Sequence, residues 1–228
     1  MISIVIPTYN EAGSLPTLVE RIATALAGHD WELIIVDDGS PDGTANLAAA
    51  MAPRLPVRVM RRPGKLGLAS AVLDGFAAAS GDVLVCMDAD LSHPPEVVPQ
   101  LLDALVDGAD LAVGSRYIAG GGIEDWPLRR RVVSRVACLM GNALVPVRDA
   151  TSGFFALRRS VIDGVRLNPI GFKIGFEVIA RGRYAKVVEI PYTFRDRAHG
   201  SSKFGRREVA HYVQQLGQIA RDKALRRI

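Results

Sequence analysis

Short apolar runs alternate with polar clusters along the first half of the chain. Two of the runs, LIIV and VLVCM, contain no polar residue. Such runs are typical of strands that helices cover on both faces, as in a parallel sheet. The pattern predicts β-strands at residues 2–6, 32–36, 83–87, 111–113 and 187–190.

Segments with helical periodicity lie between these strands. They predict helices at residues 15–26, 43–51, 66–79, 95–105, 132–144, 174–181 and 208–225. Ser14 is the predicted N-cap of the first helix, and Pro16 stands in its first turn. The alternation of strands with helices predicts a doubly wound α/β sheet.

Polar residues follow each of the first four strands. TYNE follows the first strand, DDGS the second, Asp88 and Asp90 the third, and GSR the fourth. Ligands of open parallel sheets bind at the carboxyl ends of the strands. These four clusters therefore predict a binding site at one edge of the sheet.

Asp88 and Asp90 are separated by one residue, so in extended backbone their side chains face the same side. Two neighbouring carboxylates repel each other unless a cation lies between them or one is protonated. A Mg²⁺ or Mn²⁺ ion meets this need and commonly completes its shell with substrate phosphates. A second acidic cluster, Asp37 and Asp38, strengthens the metal interpretation. The alternative is an acid–base pair of the glycoside hydrolase kind, whose carboxyl groups stand about 5–9.5 Å apart.

Charge is divided unequally between the two halves of the chain. Residues 1–128 carry 7 Lys and Arg against 17 Asp and Glu, whereas residues 129–228 carry 21 against 7. A basic half of this kind predicts a partner with anionic groups: nucleic acid, an anionic membrane surface or a phosphorylated substrate. Cys86 and Cys138 lie in apolar runs and are predicted to be buried free thiols.

The sequence predicts contact with a membrane but no membrane-spanning segment. No apolar stretch reaches the length of a spanning helix, and the N-terminus lacks the features of a signal peptide. The helices predicted at residues 132–144 and 208–225 combine apolar stripes with basic flanks, as helices in a membrane interface do. Packing of the same stripes on the core is the alternative. We therefore expect a peripheral protein at the cytoplasmic face of a membrane.

Five motifs, in this order and spacing, resemble the inverting family-two glycosyltransferases of the GT-A fold: IPTYNE, VDDGSPDGT, GLASAVLDGF, MDADLSHPPE and GSRY. Four further motifs resemble the dolichyl-phosphate or polyprenol-phosphate mannosyltransferases of that family: GGGIEDWPLRRRVVSR, DATSGFFALRR, GFKIGFEVIAR and FRDRAHGSSKFG. The resemblance covers nearly the whole chain. It implies an α/β three-layer sandwich with a mostly parallel central sheet, followed by C-terminal amphipathic interface helices.

The resemblance implies transfer of mannose from GDP-mannose to a polyprenyl monophosphate, with inversion and a divalent metal. Glucose transfer from UDP-glucose is the alternative, because the same scaffold serves both donors. A non-catalytic protein that binds lipid phosphate or nucleic acid is a further alternative, but it leaves the acidic strand ends unexplained; we therefore expect no nucleic acid partner. Members of this family reach the membrane through transmembrane segments or through separate membrane-anchoring subunits.

The resemblance also assigns residues to the donor. The nucleoside would be held by Pro7, Tyr9, Glu11, Val36 and Asp38. The metal on the diphosphate would be bound by Asp88 and Asp90, with Ser92 where some members have a glutamine ligand. Arg116 would contact the donor phosphates or sugar, and with the two aspartates it forms the predicted catalytic set.

The second half of the chain would bind the acceptor. Its phosphate would be held by Arg130, Ser134, Arg197 and Lys203. The chain is predicted to be one catalytic domain, with a donor half at 1–117, an acceptor half at 118–205 and an amphipathic helix at 206–228. Lys173 and Glu177 have the i, i+4 spacing of a helix, which fits a surface ion pair as well as a pair in the site.

Overall fold

The computed structural model describes residues 1–195 and 205–225. Its strands are β1 (Ile2–Thr8), β2 (Trp31–Asp37), β3 (Val57–Arg61), β4 (Val83–Cys86), β5 (Leu111–Ser115), β6 (Gly122–Ile123), β7 (Phe155–Arg158), β8 (Val187–Pro191) and β9 (Thr193–Phe194). Its helices are α1 (Leu15–Ala25), α2 (Thr44–Met51), α3 (Leu68–Ala78), α4 (Val98–Val106), α5 (Leu128–Asn142), α6 (Ile174–Arg181) and α7 (Arg206–Ala224).

Seven strands form the central sheet, in the order β3-β2-β1-β4-β7-β5-β8, and β6 pairs with β9 beside it. Neighbouring strands of the central sheet are parallel except at β7, which runs antiparallel to β4 and β5. The mostly parallel α/β sheet is thus confirmed. The strand order reverses between β1 and β4, and the crevice at such a point is the usual ligand site of open α/β sheets.

The direction of β7 brings a loop to this edge of the sheet. Phe155, the first residue of β7, pairs with Cys86 at the end of β4 and with Val113 in β5. Since β7 runs opposite to both neighbours, the segment just before it, residues 149–153 with the sequence DATSG, lies at the carboxyl ends of β4 and β5. We call this segment the DATSG loop.

Two apolar cores, one on each face of the sheet, give the molecule its three layers. One core includes buried residues of α1, α2 and α4, and the other includes buried residues of α3, α6 and α7. The unbroken apolar runs of β2 and β4 supply side chains to both cores, as expected for strands that helices cover on two faces.

The five predicted strands and seven predicted helices are confirmed, with shifted ends. The strands β3 and β7 escaped prediction because β3 is an edge strand with only partial burial and β7 has four residues. Ser14 occupies the N-cap position of α1, as predicted, but its side chain makes no capping hydrogen bond. Its backbone is helical and its hydroxyl donates to the carbonyl oxygen of Glu11 at 3.2 Å instead of capping the helix.

Both cysteines are buried and carry free thiols, as predicted. Within residues 1–195 and 205–225, no helix combines the length and the apolar character needed to cross a membrane.

Candidate functional site

The ends of β1 and β2 bring the predicted nucleoside residues together. Pro7 and Val36 are register partners in neighbouring strands. The backbone N–H of Asp38 donates to the carbonyl oxygen of Thr8 at 3.0 Å, which extends the pairing beyond β2. These contacts gather the predicted set at one edge of the sheet.

Tyr9 and Glu11 lie in the loop after β1. The ammonium of Lys65 stands 4.3 Å from the centre of the Tyr9 ring. The backbone N–H of Glu11 donates to the Thr44 hydroxyl at 2.9 Å, which ties this loop to the start of α2. The role of both residues in nucleoside binding stays a prediction.

The carboxylates of the acidic pair after β2 are held by the protein's own groups, and their predicted support for a metal site stays a prediction. Asp37 accepts hydrogen bonds from the hydroxyls of Thr8 at 3.0 Å and Ser40 at 2.6 Å. Asp38 forms an ion pair with Arg62 at 2.8 Å and accepts the backbone N–H of Gly67 at 2.9 Å. Both carboxylates shape loops.

Asp90 is buried and is oriented by Ser92. The Ser92 hydroxyl donates to the Asp90 carboxylate at 2.5 Å, and its backbone N–H does so at 3.1 Å. Leu91 between them has a φ of 64°, in the left-handed region that costs a bulky residue about 1–3 kcal/mol. The loop therefore keeps a strained backbone that turns Ser92 back onto Asp90.

Asp88 is positioned through its backbone by His93. The Asp88 N–H donates to His93 Nδ1 at 2.9 Å, which places the imidazole proton on the other nitrogen. His93 is buried and stacks on Phe154, with ring centres 5.1 Å apart. Burial lowers the pKa of His93, so the ring is neutral near pH 7. Sequence reasoning assigned this residue no role.

Asp88 and Asp90 lie in the loop after β4, and their role as metal ligands stays a prediction. In the described parts of the chain, no three His, Cys, Asp or Glu side chains gather into a group that could hold a metal. Two carboxylates suit Mg²⁺ or Mn²⁺, because these ions take only one or two carboxylates and complete the shell with phosphate oxygens and water. Ser92 uses its hydroxyl proton on Asp90.

Arg116 follows β5 and is clamped by Asp149 of the DATSG loop. Its Nε and Nη2 donate to the two Asp149 oxygens at 2.7 and 2.6 Å, and its backbone N–H donates at 3.0 Å. Nη2 also donates to the Thr151 hydroxyl at 2.9 Å. Nη1 makes no hydrogen bond to a described residue, so its two N–H groups are available to a ligand.

Burial and ion pairing act in opposite directions on this pair. Burial alone would raise the pKa of Asp149, but the guanidinium of Arg116 holds it below its ordinary value. Burial likewise works against the charged form of Arg116, and Asp149 reverses the effect and raises its pKa. Both groups are therefore charged at neutral pH. In the sequence, Asp149 was recognisable only as part of the motif DATSGFFALRR.

The predicted acceptor residues lie on α5. The guanidinium of Arg130 stacks 3.9 Å from the centre of the Trp126 ring, and Trp126 packs against Phe194. Ser134, one turn later, accepts a hydrogen bond from the Tyr117 hydroxyl at 2.8 Å. Ser134 is thus joined to the segment after β5, and Arg130 is joined through Trp126 to β9.

A shallow cleft of about 380 Å³ connects α5 with Arg116. It is lined by Arg116, Tyr117, Ile123, Arg131, Val132 and Arg135. Three arginines around one cleft make it suited to an anion. Arg197 and Lys203, the other predicted acceptor residues, lie outside the described residues.

Lys173 also contacts the DATSG loop, which the spacing argument did not predict. Its ammonium donates to the carbonyl oxygen of Thr151 in the DATSG loop at 3.0 Å. Its expected partner, Glu177, pairs instead with Arg181 at 2.6 Å. The surface-pair interpretation of Lys173 and Glu177 is therefore wrong.

Comparison with protein families gives one match that covers most of the chain. The model of glycosyl transferase family 2 matches residues 3–166.

Characterised relatives resemble the chain over nearly its whole length. A dolichol-phosphate mannosyltransferase from Pyrococcus furiosus is 48% identical over 222 residues, which cover 96% of this chain and 63% of that protein. A dolichol-phosphate mannosyltransferase from Saccharomyces cerevisiae is 39% identical, and the alignment covers 95% of this chain and 86% of that protein. A polyprenol monophosphomannose synthase from Mycolicibacterium smegmatis is 43% identical over 88% of this chain and 79% of its own length.

Solved structures resemble the fold. Glucosyl-3-phosphoglycerate synthase from Mycobacterium tuberculosis, in complex with Mn²⁺, UDP-glucose and phosphoglyceric acid, superposes with a TM-score of 0.67 at 23% identity. The match covers 95% of this chain and 80% of that one. The same enzyme with Mg²⁺ and UDP gives a TM-score of 0.68 at 24% identity, over 95% of this chain and 79% of that one. Both are glycosyltransferases of the GT-A architecture.

Proposed function

The chain belongs to glycosyltransferase family 2, and on this premise we propose that it transfers mannose from GDP-mannose to a polyprenyl monophosphate. The transfer inverts the anomeric carbon and uses a divalent metal. Relatives with 39–48% identity over nearly the whole chain bear names of this activity, which supports mannose and a lipid phosphate as the substrates.

One structural observation carries the proposal. The acidic loop that ends β4 and the clamped Arg116 stand against the same short segment, the DATSG loop. Thr151 of this loop accepts a hydrogen bond from Arg116, and a Cβ placed on Gly153 would lie 4.0 Å from Asp88 Oδ1. A site with carboxylates on one side and guanidinium groups on the other suits a metal-bound diphosphate facing a second phosphate.

The acceptor can supply its own nucleophile. A phosphate monoester has its second pKa near 6, so much of it is dianionic at pH 7. Its oxygen attacks the anomeric carbon, the bond between that carbon and the diphosphate oxygen breaks, and the diphosphate leaves with the electron pair. The step needs no general base. This agrees with His93, whose Nδ1 already accepts the Asp88 N–H inside the core.

Each protein group then has a defined task. Asp88 and Asp90 would hold the divalent ion, which as a Lewis acid stabilises the charge on the departing diphosphate. Arg116 offers its free Nη1 to a phosphate or sugar oxygen. Arg130 and Ser134 would orient the acceptor phosphate, and arginine suits this task because its planar fork matches phosphate oxygens.

Attachment to a membrane surface is part of this proposal, because a polyprenyl chain stays in the bilayer. The supporting feature is α5, which exposes one side rich in apolar residues. Its exposed apolar side chains are Leu128, Val132, Val133, Val136, Leu139 and Met140. Arginines flank them on the same helix, as in helices that lie in an anionic interface.

The purified protein should move label from GDP-mannose to polyprenyl phosphate in the presence of Mn²⁺ or Mg²⁺. A parallel assay with UDP-glucose should give little product; preference for UDP-glucose would replace mannose with glucose in the proposal. Absence of lipid-linked product with either donor would refute it.

Removal of the metal or of one predicted ligand tests the metal's role. EDTA should abolish transfer, and Asp90→Asn should lower kcat/KM by about 100-fold or more, since the variant loses a charged ligand of the metal that would stabilise the departing diphosphate. Asp82→Asn, at the exposed opposite end of β4, is the matched control and should keep full activity. Metal-independent transfer would contradict the assignment.

A further inference from the structure

Lys173 stands immediately before α6, and its side chain turns toward the DATSG loop. It is partly buried, and its ammonium donates to the Thr151 carbonyl oxygen at 3.0 Å and lies 4.6 Å from the centre of the Phe172 ring. An ammonium has three N–H donors. The Thr151 carbonyl satisfies one of them.

The same loop contacts the groups already placed in the site. The backbone carbonyl of Thr151 accepts a hydrogen bond from Lys173, and its hydroxyl accepts one from Arg116. Two residues later, Gly153 is so close to Asp88 that an added Cβ would lie 4.0 Å from the carboxylate. Lys173, Arg116 and Asp88 therefore surround one short stretch of backbone.

The Lys173 ammonium has no carboxylate partner of its own at this loop. Asp149 engages Arg116 through both carboxylate oxygens. No carboxylate in the described parts of the chain forms an ion pair with Lys173. Asp149 is therefore engaged by Arg116, and the Lys173 ammonium donates to the Thr151 carbonyl without a carboxylate partner of its own, in surroundings where such a charge is costly.

The pKa of Lys173 is lowered, mainly because the ammonium is buried. Burial lowers it to about 8, and repulsion from Arg116 adds to the effect, while Asp149, Cys138 and Asp88 oppose it. An anion beside the ammonium would favour the charged form and reverse the shift. A buried ammonium without a carboxylate partner favours the binding of an anionic ligand.

We propose that Lys173 binds a phosphate group of a substrate, next to Arg116 and across the DATSG loop from Asp88. The inference rests on the proposed function and adds a residue to its site. The phosphate belongs either to the donor diphosphate or to the lipid acceptor. The chemistry is shared, so the experiment separates the two sources.

Lys173→Met removes the charge and keeps an unbranched side chain. Lys186→Met is the matched control, because the Lys186 ammonium also donates to one backbone carbonyl, that of Asp107 at 3.2 Å, and stands before β8 at the opposite edge of the sheet. Binding of GDP with Mg²⁺ is measured by calorimetry without acceptor. The KM for polyprenyl phosphate is measured at saturating GDP-mannose.

We expect Lys173→Met either to weaken GDP binding or to raise the KM for polyprenyl phosphate by about 10-fold or more, because hydrogen bonds to charged groups are stronger than those between neutral groups. The quantity that changes identifies the phosphate that Lys173 binds. Lys186→Met should change neither by more than about twofold. Equal values for Lys173→Met and the wild type in both arms would overturn the proposal.

Thermal unfolding without ligand separates binding from a structural role. An unpaired cation does not stabilise the free protein, so the melting temperature of Lys173→Met should equal or exceed that of the wild type. If the melting temperature of Lys173→Met falls by more than about 5 °C, and both GDP binding and the KM for polyprenyl phosphate deteriorate, Lys173 has a structural role. That result would overturn the proposal. The GDP arm needs no sugar transfer, so a wild type that binds GDP but transfers no mannose refutes only the proposed function.

Discussion

Asp149 determines how Arg116 is presented to a ligand. Its two oxygens fix Nε and Nη2 of the guanidinium and leave Nη1 without a hydrogen bond to a described residue. The exposed fractions of the Arg116 and Asp149 side chains are 7% and 0%, so water screens the pair little. At the scale of residues, the site therefore depends on a carboxylate that need not touch a substrate.

Asp149→Asn should destabilise the protein by about 3 kcal/mol, because it leaves the buried charge of Arg116 without its counter-charge. Urea denaturation measures the loss. Glu124→Gln is the matched control: its bond to Arg195 has a similar length of 2.8 Å, but the two side chains are 49% and 73% exposed. Exposed pairs contribute about 0–1 kcal/mol. Equal losses in the two variants would show that burial does not govern this pair.

The pH dependence of the Asp149 contribution follows from its lowered pKa. A carboxyl whose folded pKa lies below its ordinary value of 3.8 stabilises the fold fully above that value and loses the contribution as pH falls through the folded pKa. The stability gap between wild type and Asp149→Asn should therefore stay constant from about pH 5 to pH 8 and shrink below about pH 4. A gap that closes near pH 6 would contradict the assignment.

The helices α5 and α7 cross in close contact. The Tyr212 hydroxyl of α7 donates to the carbonyl oxygen of Ala137 in α5 at 2.9 Å. Gly141 makes the crossing possible, because an added Cβ would lie 2.6 Å from both the Tyr212 hydroxyl and the Ala150 Cβ. At the scale of elements, this crossing holds α5, and with it Arg130, against the body of the molecule.

Gly141→Ala should lower the free energy of unfolding by about 1–3 kcal/mol or more, since the extra methyl overpacks the crossing. Gly217→Ala is the control in the middle of α7, where an added Cβ meets nothing within 4 Å. It should stabilise the helix by about 0.5–1 kcal/mol, because alanine is the better helix former. Denaturation curves compare the two, and stabilisation by both changes would contradict the crossing.

The apolar stripe of α7 divides between core and surface. Tyr212, Leu216 and Ile219 are buried in the core, as the alternative of core packing predicted, whereas Val209 and Val213 stay exposed. On α5 the balance is opposite, because Cys138 and Gly141 are its buried residues. The larger apolar surface for a membrane therefore lies on α5.

At the scale of the whole molecule, the apolar side of α5 lies beside the cleft that contains Arg116. The cleft is lined by Val132, Arg131 and Arg135 of α5, so one helix contributes both to the apolar surface and to the anion cleft. A lipid whose chain lies in the bilayer and whose phosphate lies at the interface could contact the apolar side of α5 and the anion cleft at the same time. This arrangement supports peripheral attachment as part of the proposed function.

The double variant Val136→Ser and Leu139→Ser should weaken binding to vesicles that contain anionic lipid by about 10-fold or more. The reason is the loss of apolar area that would otherwise leave water, at about 25 cal/mol per Å². Val106→Ser is the control, since Val106 is 81% exposed but ends α4, away from α5. Sedimentation with vesicles measures the effect. Equal binding by all three proteins would exclude α5 from the membrane contact.

Local sequence patterns determined much of this protein. Apolar runs without alternation identified β2 and β4 as covered strands, and the polar clusters after four strands located the edge of the site. Asp88 and Asp90 form a candidate metal site because neighbouring carboxylates repel each other unless a cation lies between them or one is protonated, and their role stays a prediction. Motif order was sufficient for the family, since each motif is a contiguous stretch whose spacing is visible in the chain.

Only the tertiary structure decided which distant groups meet. The direction of β7 brings Asp149 to Arg116, and no periodicity in four residues reveals a strand's direction. The same long-range packing assigned Asp37 and Asp38 to loop hydrogen bonds and separated Lys173 from Glu177. The physical reason is that a charged side chain pairs with whichever partner the folded backbone brings near, and sequence spacing limits that choice only within one helix or strand.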